Sequence, residues 1–194
     1  MKKRFTIIIT AILFLAGLSL LLYPFMANQW NTYRQTRLIT DYEAAVAGKK
    51  SQGKVDYEAE WDKAVSYNEA LVPYILPDSF AEAEQETDIE EDRKYMSCLN
   101  LTGNGIMGYV QIPKINIRIP IFHTVNEDVL QIGAGHLEGS SLPVGGENNH
   151  AVISAHRGLP SAALFTDLDK LEEIYNYHNS HIIFSRFVLA AVSI

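Results

Sequence analysis

With 47% hydrophobic and 20% charged residues, the 194-residue chain has enough apolar material for one globular domain with smaller appendages, which argues against disorder. A formal net charge of −7 and the lack of a long basic stretch argue against a nucleic-acid surface, because phosphate binding draws on clustered Lys and Arg. The one cysteine, Cys98, rules out an intrachain disulfide, so the fold rests on its hydrophobic core.

Residues 5–23, FTIIITAILFLAGLSLLLY, carry no charge. As a helix rising 1.5 Å per residue they cover roughly 28 Å, enough for a bilayer core. Lys2, Lys3 and Arg4 precede them and place the N-terminus in the cytoplasm by the positive-inside rule, a bias that Arg34 and Arg37 on the far side soften. A cleaved signal peptide is the competing reading. The apolar run is long for one, and its exit, YPFMAN, is bulky, so the expectation is a single-pass anchor with the bulk of the chain outside. Tyr23 and Trp30 suit the membrane interface.

Trp30, Tyr33, Leu38, Tyr42, Ala45 and Val46 fall near helical spacing, with Gly48 as a stop signal, and predict a first helix after the membrane. Asp56 is a plausible N-cap for a second, whose apolar face is Tyr57, Trp61, Ala64, Val65, Asn68, Leu71 and Val72 and which ends near Pro73. The two are expected to form a helical hairpin. Residues 77–92 are acidic and read as a solvated loop or short helix.

From Ile106 the pattern becomes that of strands. Ile115, Ile117, Ile119 and Ile121 alternate with Asn116, Arg118 and Pro120, so one face is wholly isoleucine and belongs to a β core. Pro113 and Pro120 suit strand ends, edges or bulges. A short turn or helix around residues 127–132, a Gly-rich loop over residues 136–146 and an apolar strand over residues 151–155 follow.

His156 leaves that last strand, where an imidazole can transfer protons near neutral pH; a histidine satisfied by backbone hydrogen bonds is the structural alternative. His136, His150 and His156 show no metal-ligand spacing, and no cofactor is expected. Ser154 and Ser161 lack a nucleophile elbow. Cys98 has no Gly-rich or His-bearing context and reads as a buried thiol.

Three ordered blocks, GYVQIPKINIRIPI at 108–121, GHLEGSSLPVGG at 135–146 and HAVISAHRGLPSAALFTDLDKL at 150–171, together resemble class C, pilin-assembling sortases. The resemblance implies a membrane-anchored cysteine transpeptidase of β-barrel fold outside a Gram-positive cell. It makes His156 the catalytic histidine and general acid. In the implied chemistry a cysteine thiolate attacks the threonine carbonyl of an LPxTG-like sorting signal, an arginine steadies the oxyanion, and a pilin lysine amine resolves the thioester. The family's lid motif, Asp-Pro-aromatic, finds its nearest match in Asp78-Ser79-Phe80, which makes Asp78 and Phe80 the lid candidates, with Ser79 in place of the stiffening proline.

The resemblance fades after Leu171. Of the 38 residues after His156 none is cysteine, so the family's nucleophile and its arginine are not matched. The expectation is a truncated or frameshifted chain of α+β class: a cytoplasmic tail (1–4), a transmembrane anchor (5–23), a helical and lid-like region (24–102), an incomplete sortase-type β-barrel (103–172) and a non-family tail (173–194). Such a chain is expected to be inactive. The alternatives are a non-catalytic anchored peptide-binding domain and a non-functional remnant.

Overall fold

The computed structural model describes residues 2–54, 56–71, 89–146, 149–171 and 187–193, with backbone alone for 89–92 and 187–193. Helix α1 (Lys2–Ser51) is continuous. The apolar run and the first helix predicted after it form this one helix, although Pro24 lies inside it. A proline removes one backbone donor and costs about 3 kcal/mol. No glycine or capping sequence around Pro24 offers the chain another course, and the helix is held downstream by a long docked face.

That face overlaps the predicted one at Leu38, Tyr42 and Val46 and departs from it at Trp30 and Tyr33. Gln35 and Ile39 are buried, Asn28, Asn31, Tyr42, Val46 and Lys49 are half-buried, and Trp30 and Tyr33 are exposed, with ring centroids 6.0 Å apart. Tyr42 donates to the Met107 carbonyl at 3.1 Å, Lys49 to the Leu101 carbonyl at 2.6 Å, and Arg118 pairs with Glu43 at 2.8 Å. Burial pushes the Tyr42 hydroxyl up to about 12, which keeps the proton it donates.

Helix α2 (Tyr57–Ala70) begins as expected at Asp56, whose carboxylate accepts from the Glu58 and Ala59 amides. It does not fold back along α1 as a hairpin. The two touch near the turn, through the Tyr57 hydroxyl on the Val46 carbonyl and Lys50 over the Tyr57 ring. Beyond the turn α2 leans on the sheet domain. Ala64 enters the core, and the Asn68 amide both donates to the Leu142 carbonyl and accepts from the Leu142 amide. Helix α3 (Ile89–Ser97) takes in the end of the acidic stretch and buries Tyr95.

Five strands form one sheet in sequence order: β1 (Ile106–Ile112), β2 (Ile117–Phe122), β3 (Ala134–His136), β4 (Ala151–Arg157) and β5 (Phe187–Ser193). Pairings alternate antiparallel and parallel from β1 to β5. The described sheet is open, not closed into a barrel. Ile117, Ile119 and Ile121 are buried as predicted, and packing each from water is worth roughly 1.5–3 kcal/mol. Pro120 is also buried, although its strand position alternates with theirs. Strand β3 pairs with β2 only at Ile121 and Phe122, so Pro120 lies beyond the end of that ladder, where a missing donor is tolerated. The core joins these isoleucines to Val110, Leu142, Ile153, Ala155 and Phe165.

Candidate active site

His156 is the penultimate residue of β4 and is 4% exposed. Along this strand Ile153 and Ala155 point into the core, which sends Ser154 and His156 to the opposite face. Among the described residues neither the Ser154 hydroxyl nor either ring nitrogen of His156 has a hydrogen-bond partner. Three buried polar atoms on one strand face are costly, at about 1–3 kcal/mol for each group left unmet. Such a cluster is where an incoming polar ligand gains most.

A carboxylate reaches this face by a specific route. Gly135, on β3, is paired with Ser154. A Cβ at Gly135 would lie 2.1 Å from the Thr124 carbonyl oxygen, so only glycine lets residues 124–126 cross the sheet there. The crossing delivers helix α4 (Glu127–Leu130), whose first residue brings its Oε1 to 3.6 Å from His156 Nε2. The same oxygen accepts from Gln131 Nε2 at 2.6 Å, which fixes an otherwise exposed carboxylate.

The segment after His156 is stapled. The Phe165 amide donates to the His156 carbonyl, the Gly158 amide donates to Thr166 Oγ1, and Arg157 pairs with Asp169 at 2.6 Å. Gly158 takes φ +80°, which turns the chain out of the strand.

The other predicted groups lie elsewhere. His136 is fully buried; its Nε2 faces the Ser141 carbonyl at 2.9 Å and its Nδ1 the Tyr95 hydroxyl at 2.8 Å. Burial lowers its pKa to about 4, so it is a neutral structural histidine. Cys98 is buried at the end of α3, with its Sγ on the Lys94 carbonyl at 3.3 Å. Burial pushes its thiol up, the wrong direction for a thiolate nucleophile. The lid candidates Asp78 and Phe80 lie outside the described residues.

Residues 110–186 match the family model of the sortase domain. Among solved structures, a sortase C1 from Streptococcus agalactiae is 40% identical with a TM-score of 0.57, the alignment covering 70% of this chain and 65% of that one. A sortase C from Streptococcus pneumoniae is 39% identical, with 70% and 64% covered and a TM-score of 0.55. Residues 110–186 form a sortase domain. Sortase C-1 from Actinomyces oris is similar at 33% identity, with 59% and 62% covered and a TM-score of 0.53. The chain thus spans somewhat under two thirds of the length of these sortases. A comparison with curated proteins finds no match. The sortase match includes His156, Glu127, Gly135 and Ser154, and it extends past residue 173 into the stretch in which the resemblance by motif had faded.

Glu127, Gln131, Ser154 and Gly135 were not singled out from sequence as site residues. Glu127 reads as an ordinary acid in a first helical turn. The signal that could have found it is Gly135 immediately before His136, a glycine inside a strand, which marks a close backbone approach.

Proposed function

We propose that this chain is a pilin-related sortase of class C type, anchored by α1 with its domain on the outer surface, in which His156 is the general acid. The reading rests on one observation above the others: a buried imidazole on β4, with unpartnered ring nitrogens among the described residues, facing a fixed carboxylate within a sortase domain. Its substrate is an LPxTG-like sorting signal, and its acceptor is a pilin lysine amine. The reaction requires a cysteine thiolate to add to the threonine carbonyl, and Cys98 is the one cysteine in these 194 residues. His156 gives its proton to the departing amine, leaving a thioester that the lysine amine resolves. Glu127 Oε1, 3.6 Å from Nε2, orients the ring for this step.

Cys98 does not serve as the thiolate, because it is buried, its thiol is pushed up, and its sulfur is engaged with the Lys94 carbonyl. The 194-residue chain is therefore expected to bind the sorting signal beside His156 without cleaving it. The test is a titration of the full chain in detergent micelles with an LPxTG-like peptide, watching the His156 ring resonances and peptide cleavage together. Saturable shifts at His156, absent with a scrambled peptide, support the reading; their absence at millimolar peptide sinks it. Cleavage that disappears in Cys98→Ala would make Cys98 the nucleophile after all.

A further inference from the structure

The loop after His156 is tied to α1 at two points. Asn28 Oδ1 accepts from the Ala163 amide at 2.8 Å, and Asn31 Nδ2 donates to the Ser161 carbonyl at 2.8 Å. The two asparagines are three residues apart and so lie on one helix face. Their amides are used in opposite senses, an oxygen toward a backbone donor and a nitrogen toward a backbone acceptor. Irregular backbone has no ladder to satisfy it, and these two side chains supply what a neighbouring strand would. The same face continues through Gln35, Ile39, Tyr42 and Lys49, so the sortase domain lies along the helix instead of hanging from it.

The position of this tie relative to the apolar run matters. Asn28 is five residues beyond Tyr23, about 7.5 Å along the helix. The headgroup layer on each side of a bilayer is about 5–8 Å deep. Ser51, at the other end of α1, lies about 34 Å beyond Asn28 along the same axis. No glycine or loop separates the span from the docked face, so the domain inherits the height of the helix.

We propose that Asn28 and Asn31 are positioning residues that latch the His156 loop to the membrane helix, so that the candidate active-site loop is held at the headgroup boundary and the residue 51 end of α1 well above it. The proposal rests on reading α1 as the anchor; it does not require the chain to be a working sortase.

The chemistry predicts which substitutions are tolerated. Asn28 acts as an acceptor, so Asn28→Asp keeps the bond and Asn28→Leu loses it. Asn31 acts as a donor, so Asn31→Asp sets an acceptor against a carbonyl and breaks the latch. The full chain is placed in nanodiscs of phosphatidylcholine and phosphatidylglycerol, and hydrogen exchange at the Ala163 amide is followed. Exchange is expected to rise about tenfold in Asn28→Leu and to stay near wild type in Asn28→Asp. A fluorophore on Pro160→Cys is expected to be quenched by headgroup-labelled lipid far more than one on Ser51→Cys, and Asn28→Leu is expected to weaken the Pro160 quenching. Unchanged Ala163 exchange in Asn28→Leu overturns the latch, and so does equal exposure in Asn28→Asp and Asn28→Leu. Equal quenching at the two labelled sites overturns the placement at the bilayer. If the wild-type chain fails to float with vesicles, the anchor reading and the placement fall together, while exchange in detergent still decides the latch.

Discussion

His136 and His156 are two imidazoles buried about equally, and their surroundings set them to different work. His136 is closed off: Tyr95 and Ser141 occupy its nitrogens, and burial lowers its pKa to about 4 from the ordinary 6.5. The unfolded chain therefore binds more protons than the folded one between those two values. His136 adds its full stabilisation above pH 6.5 and loses it as pH falls toward 4, a span worth roughly 3 kcal/mol. The urea midpoint of the full chain in detergent is expected to drop between pH 7 and 4.5, and His136→Asn is expected to flatten that drop while lowering stability at pH 7. A mutant with the wild-type slope would show that other groups carry the acid sensitivity. His156 has no such partners on its ring nitrogens among the described residues and instead faces the Glu127 carboxylate at 3.6 Å, which leaves the ring available to a substrate.

At the scale of elements, the crossing of residues 124–126 over Gly135 joins the fold to the site. Gly135→Ala sets a methyl 2.1 Å from the Thr124 carbonyl oxygen, a backbone atom with no rotamer to change. Either β3 or the crossing segment must move, at a cost of about 1–3 kcal/mol, and Glu127 moves with it. The variant is expected to unfold at lower urea and to lose the Glu127 to His156 proximity, seen as loss of the nuclear Overhauser contact between those side chains. Full retention of both would mean the crossing is slack. How far this was legible in sequence varies by element. Strand β4 and helix α2 were legible because their apolar residues follow one period and pack against one core. The docked face of α1 is legible at Leu38, Tyr42 and Val46 but not at its start, where the partners are loop backbone groups at Ser161 and Ala163, which call for Asn28 and Asn31, residue types that read as solvent-facing. Trp30 and Tyr33, which read as the inward face, are exposed. The position of His156 at a strand exit was legible, but its carboxylate partner was not, because the crossing that brings Glu127 to it depends on a non-local approach.

For the molecule as a whole, the proposed anchoring raises the question of which side of a membrane the sortase domain occupies, since α1 runs unbroken from the apolar stretch to the docked face. Helix α1 is long and apolar enough to cross a bilayer, and its apolar window is not buried against the rest of the protein. The orienting charges are few. Lys2, Lys3 and Arg4 precede the span, while Arg34 and Arg37 follow within about 15 residues, a margin of one cation. Acidic residues count for little in this balance, so Asp41 does not restore it, although it pairs with Arg37. A balance so narrow is expected to tip on small changes. Replacing Lys2, Lys3 and Arg4 with glutamine leaves the excess on the far side, and alkaline phosphatase fused after residue 194 is expected to fall from high activity in the wild type to a mixed or low value. Arg34→Gln together with Arg37→Gln widens the original bias and is expected to keep the fusion fully active. If the first set changes nothing, the folding domain and the length of the apolar span orient the chain instead of the flanking charges. If the wild-type fusion is inactive from the start, the domain faces inward, and the proposed encounter with sorting signals at the outer surface is excluded.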